Sequence, residues 1–176
     1  PGPETDPAVI EFLMHYGDLI LGKATVLCKD TPAFIANRVG VFSMMTVFAL
    51  AKELSLSTEE IDAITGPLTG KPKSASYRTA DVVGIDTLVK VAAGIYETCP
   101  KDEAREQLKV PAWMLTMVEK NMLGDKSGSG FYKKIKLEGG KSEIHVLDME
   151  TFNYRPSKKV SLSALEEIGR AHVELQ

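Results

Sequence analysis

Apolar side chains recur at helical spacing through most of this chain. Asp6 and Pro7 form an N-cap with proline at the first helical position, and Val9, Phe12, Leu13, Tyr16, Leu19 and Ile20 then mark one face of a helix that Gly22 closes. Thr25-Val26-Leu27-Cys28, bounded by Gly22 and Asp30-Thr31-Pro32, has the β-branched apolar character of a short buried strand. A lone strand leaves its backbone groups unpaired, so this one implies a partner sheet, and residues 1–30 are expected to be a helix-strand stub ending a preceding α/β domain.

Thr31-Pro32 repeats the cap-plus-proline signal and predicts the longest helix over residues 33–54, apolar nearly all round in its middle and therefore central. Ser57-Thr58-Glu59-Glu60 has the spacing of a capping box and opens a short helix ending near Gly66-Pro67. Residues 66–74, with two lysines, two glycines and two prolines, read as an exposed loop. Helices follow over residues 75–83 and 86–98, separated by Gly84, and then over 102–108 and 111–122. The texture changes at Gly124-Asp125-Lys126-Ser127-Gly128-Ser129-Gly130, a flexible turn that leads into a β-hairpin from 131–137 and 143–147, linked by Glu138-Gly139-Gly140-Lys141. Residues 161–173 offer a last helix, with Ser163 and Glu166 spaced as a capping box.

Composition narrows the functional classes. With 21 Lys plus Arg against 24 Asp plus Glu, the net charge of −3 supplies no field to gather nucleic acid or anionic lipid, and neither is expected as a partner. The longest uncharged stretch, residues 39–51, is well short of the ~20 residues of a membrane span. Pro1-Gly2-Pro3-Glu4-Thr5-Asp6 lacks the basic and apolar regions of a signal peptide and reads as a linker. Cys28 and Cys99 have no second pair for a metal site and read as reduced thiols, which points to an intracellular, cytoplasmic protein.

No catalytic constellation stands out on residue type alone. His15, His145 and His172 are too scattered to present ligands together, so no metal is expected. The glycine-rich turn precedes a strand rather than a helix N-terminus, so its amides would not converge on a phosphate. Asn37, one turn inside the long predicted helix and followed by Arg38, admits two readings. In one, both residues simply face solvent or cap a neighbouring helix; in the other, the Asn37 amide is held rigidly at a cleft, where it can donate and accept.

Lys29-Asp30-Thr31-Pro32-Ala33-Phe34-Ile35-Ala36-Asn37-Arg38-Val39 closely resembles the segment by which 3-hydroxyacyl-CoA dehydrogenases pass from their NAD-binding domain into a helical one. Asp81-Val82-Val83-Gly84-Ile85-Asp86-Thr87 resembles the helix-breaking stretch in mid-domain, and residues 124–132 resemble the glycine-rich ending. The resemblance implies a mainly α fold, the helical C-terminal-type domain of this family, at residues 31–135. Residues 1–30 would then end the NAD-binding domain, and residues 136–176, hairpin and terminal helix, would lead to a further domain.

It also implies part of an NAD-dependent oxidation of (S)-3-hydroxyacyl-CoA in fatty-acid β-oxidation, with a histidine–glutamate acid–base pair that this chain does not contain. In that reading Asn37 positions substrate near the reacting oxygen, Lys126 approaches NAD, and the helices pair subunits into a homodimer. A rival is a helical dimerisation module of another hydroxy-acid dehydrogenase, with no site of its own. The stretch Ile64-Thr65-Gly66-Pro67-Leu68-Thr69-Gly70-Lys71-Pro72-Lys73-Ser74 departs from the Met-Gly-Pro-Phe-Glu type segment of the single-function enzymes. It is more similar to the microbial polypeptides that fuse the dehydrogenase to an enoyl-CoA hydratase.

Overall fold

The computed structural model describes residues 1–161, so the terminal helix expected at 161–173 lies outside the described residues. Among the described residues, six α-helices are followed by a small antiparallel sheet: α1 Pro7–His15, α2 Ala36–Glu53, α3 Thr58–Ile64, α4 Tyr77–Val83, α5 Ile85–Thr98, α6 Ala112–Glu119, then β1 Tyr132–Lys136, β2 Ser142–Leu147 and β3 Tyr154–Pro156 in the order β1-β2-β3.

The cap signals hold where a side chain can reach the backbone. Asp6 accepts from the Ala8 amide at 2.8 Å, and Ser57 and Glu60 form the reciprocal capping box. After α1 the helix widens into a π-turn, Tyr16–Ile20. No strand forms at residues 25–28, which corrects the expectation from their β-branched composition. No neighbouring strand offers a ladder among the described residues. Instead Thr25 folds back so that its amide and hydroxyl donate to Asp18 at 2.7 and 2.6 Å. Gly17 permits this, since a Cβ there would lie 2.3 Å from the Thr25 methyl.

The long helix starts later than its Thr31-Pro32 signal. Ala33 and Phe34 both have positive φ, 62° and 50°, so the chain turns before Ala36 and places Asn37 in the first turn of α2 rather than one turn inside. Helical geometry then buries Val41, Met45, Phe48 and Ala51 on one face, while Val39 and Leu50 stay exposed on the other. The expected helix at 102–108 is only a 3-10 turn, Arg105–Leu108, and the hairpin gains a third strand that its three-residue length hid.

Helices and sheet meet in an aromatic cluster. Phe131, fully buried, lies 4.6 Å from the Tyr77 ring and 5.7 and 5.8 Å from Phe48 and Trp113, centroid to centroid, within the range of favourable tilted and edge contacts. Buried Glu59 on α3 receives both guanidinium arms of Arg155, at 2.6 and 2.9 Å, and the Lys158 amide at 3.0 Å. Burial pushes its carboxyl up, but these donors outweigh burial and hold it below the ordinary range.

Candidate functional site

The α4–α5 corner is built around two carboxylates on either side of Gly84. Asp81, on the last turn of α4 and essentially inaccessible, accepts from the Phe131 and Tyr132 amides at 2.8 and 2.9 Å. The glycine-rich turn wraps closely around it, for a Cβ on Gly124 would lie 2.2 Å from the Asp81 carbonyl oxygen and one on Gly130 2.0 Å from its Oδ1. Glycine is therefore needed at both positions for contact, and at Gly124, with φ 95°, for conformation as well. Arg78 grips Asp125 through both guanidinium arms, at 2.6 and 3.1 Å, and ties the same turn to α4.

Nearby, Asp62 on α3 accepts from the Ser76, Tyr77 and Arg78 amides and from the Tyr132 hydroxyl at 2.7 Å, which fixes the start of α4 against β1. Burial raises the Asp62 carboxyl, and burial pushes Asp81 up to about 6 despite its two amide donors.

These shifts predict an inverted acid response. Because both groups have folded-state values above the unfolded range near 3.9, their stabilising contribution is complete below about pH 4 and is lost at higher pH, for Asp81 as pH rises through about 6. For Asp81 the shift is worth up to about 3 kcal/mol, or several degrees. Carboxyls held low, such as Glu59, Asp86 and Asp102, lose their contribution only on further acidification. The thermal midpoint of the chain should therefore fall between pH 4.5 and 7, and Asp81→Asn should flatten that slope. An equal slope in the variant would assign the effect elsewhere.

Lys126 and Asn37 occupy opposite ends of α5. Lys126 crosses Gly84 to form an ion pair with Asp86 in the first turn of α5, which draws the Asp86 carboxyl below its ordinary value. Asn37 lines a shallow, mostly apolar groove with Pro32, Ala33, Val91, Gly94, Ile95 and Thr98. From Asp86 to Ile95 α5 rises about 14 Å, so the fold does not bring the two residues together. The Asn37 amide is exposed and carries no hydrogen bond among the described residues. Its neighbour Arg38 turns away to an ion pair with Asp102 and donates to the Cys99 sulfur at 3.3 Å, bracing α2 against the turn after α5.

The loop amides do not form a phosphate cradle: Gly124, Ser127 and Gly128 donate to carbonyls within the turn, and Phe131 and Tyr132 donate to Asp81. The cation this turn carries is the Lys126 ammonium, paired with Asp86. No group of three or more metal-ligating side chains occurs among the described residues, and His145 pairs with Glu143. No described helix is long and apolar enough to cross a membrane. Asp62, Asp81 and Asp86 were not singled out from sequence; the two aspartates bracketing Gly84 were the available signal.

The described residues thus form a mainly helical domain whose glycine-rich turn is locked on a buried aspartate. Residues 34–134 match the family described as 3-hydroxyacyl-CoA dehydrogenase, C-terminal domain, and the chain belongs to that family. A Bacillus subtilis relative named "Probable 3-hydroxyacyl-CoA dehydrogenase" is 42% identical over 171 residues, 97% of this chain and 21% of its own length. A Rickettsia prowazekii relative named "Putative fatty acid oxidation complex trifunctional enzyme" is 30% identical over 156 residues, 88% of this chain and 22% of its own length. The crystal structure of (S)-3-hydroxybutyryl-CoA dehydrogenase PaaH1 from Ralstonia eutropha superposes with a TM-score of 0.60 at 27% identity, covering 73% of this chain and 44% of that one. The chain thus spans about a fifth of the length of these two curated relatives.

Proposed function

We propose that this chain is the substrate-side helical part of an NAD-dependent 3-hydroxyacyl-CoA dehydrogenase of fatty-acid β-oxidation, acting in the cytoplasm beside an NAD-binding domain in the same polypeptide. Residues 1–30 then close that domain, 31–135 form the helical one, and 136–176 lead onward. The observation that carries the reading is the Asn37 amide, unengaged at the mouth of an apolar groove within the matched family segment.

An amide so placed can donate to the 3-oxygen of an acyl thioester both as hydroxyl and as the carbonyl it becomes, orienting it without itself taking a proton. Bound NAD supplies the hydride acceptor. Lys126 offsets phosphate charge from the helical side. The Rickettsia relative, named as a trifunctional enzyme of a fatty acid oxidation complex, supports a multifunctional parent, and an enoyl-CoA hydratase within it is what the sequence resemblance implies. The exposed apolar face of α2, where Val39 is 63% and Leu50 44% accessible, supports a homodimer that covers it.

The test compares the 176-residue chain with the full-length polypeptide. The full-length protein should oxidise (S)-3-hydroxybutyryl-CoA with NAD, whereas the chain alone should show no turnover, because it lacks both the phosphate-binding turn and the acid–base pair. Turnover by the chain alone, or none by the full-length protein, contradicts the proposal.

A further inference from the structure

Lys126 is a held side chain. A Cβ on Gly84 would sit 2.8 Å from its Nζ and 3.0 Å from its Cε, so the lysine passes through the space that Gly84, at φ 96°, leaves open at the α4–α5 corner. Its ammonium ends against Asp86 Oδ1, an oxygen sealed from solvent. The Asp86 side chain is 24% accessible and that of Lys126 45%, so the carboxylate is the inner partner and the ammonium the outward-facing one. The turn that carries Lys126 is anchored on both sides, by Arg78 on Asp125 and by Asp81 on the Phe131 and Tyr132 amides, so the backbone beneath the lysine is fixed as well.

We infer that Asp86 is a positioning residue that presents the Lys126 ammonium to the cofactor's phosphates, an inference that rests on the reading of Lys126 as the cofactor-facing cation. Two effects of Asp86 oppose each other. A lysine on a flexible stem surrenders rotamer freedom when it meets an anion, and one already held has surrendered it beforehand, which favours binding. A carboxylate near a pyrophosphate repels it. The repulsion is the weaker effect here, because Asp86 lies behind the ammonium that neutralises it and the outer partner faces water, where charge is screened. Positioning and repulsion therefore predict opposite signs when the carboxylate is removed.

The experiment is a fluorescence titration of the full-length dehydrogenase with NADH, together with KM for acetoacetyl-CoA. Asp86→Ala should raise the NADH Kd about 3- to 10-fold and leave KM for acetoacetyl-CoA unchanged, a split that a general loss of structure would not give. Asp86→Asn, which keeps a side-chain acceptor at the helix start, should fall between wild type and alanine and guards against misfolding of the alanine variant. Lys126→Met should raise Kd at least as far, and the double variant Asp86→Ala/Lys126→Met should be no weaker than Lys126→Met alone, because the aspartate acts only through the lysine. An unchanged or lowered Kd in both Asp86 variants, with a raised Kd in Lys126→Met, overturns the positioning role alone. An unchanged Kd in Lys126→Met overturns the cofactor-facing reading of Lys126 and the inference with it.

Discussion

Asp81→Ala is expected to lower the thermal midpoint of the chain by roughly 6–12 °C, the effect of about 3 kcal/mol on a domain of this size. The substitution deletes a side chain that accepts from the Phe131 and Tyr132 amides, and Phe131 is fully buried, so no water replaces the lost acceptor at that amide. Each orphaned buried donor costs about 1–3 kcal/mol. Against this stands the penalty for burying the carboxylate itself, visible in its raised pKa, which its removal relieves. The orphaned amides win because there are two of them and because the glycine-rich turn loses the group it packs around at Gly124 and Gly130. The turn and β1 should loosen first, exposing the Phe48–Tyr77–Trp113–Phe131 cluster. Thermal unfolding followed by near-ultraviolet circular dichroism checks this directly, since those rings give the signal. A midpoint within about 2 °C of wild type would show that Asp81 does not hold the turn.

Much of the helical body is legible because its signals are local. The Asp6 cap, the Ser57–Glu60 box and the Gly84 break each act within a few residues, and each stands where its residues place it. The apolar run at 25–28 misleads because a strand is a property of two segments, and only one is among the described residues. The start of α2 shifts because Ala33 and Phe34 adopt positive φ, a choice that tertiary surroundings impose and composition does not reveal. β3 is missed because three residues ending in Pro156 carry almost no alternation, and its anchor, Glu59 with Arg155, spans 96 positions of sequence. The candidate site divides in the same way. Asn37 and Lys126 come from motif resemblance, whereas the aspartates that fix their surroundings are visible only once α4, α5 and the glycine-rich turn are folded together.

The largest kinetic effect is expected at Asn37. On the proposed role, Asn37→Ala in the full-length dehydrogenase would remove one positioned polar contact to the substrate's 3-oxygen, a loss of about 2–4 kcal/mol of transition-state stabilisation, or roughly 30- to 1000-fold in rate. The fold should be indifferent to the change. Asn37 sits exposed in the first turn of α2, its amide makes no hydrogen bond among the described residues, and alanine has the better helix propensity. Its neighbour Arg38 keeps the brace to Asp102 and Cys99 that sets the direction of the helix. The decisive measurement is therefore kcat/KM for acetoacetyl-CoA, taken with the thermal midpoint of the same Asn37→Ala protein. The account predicts an unchanged midpoint with kcat/KM reduced at least about 30-fold. A midpoint lowered by many degrees while the folded enzyme keeps near-normal kcat/KM would make Asn37 a structural helix residue and contradict the assignment.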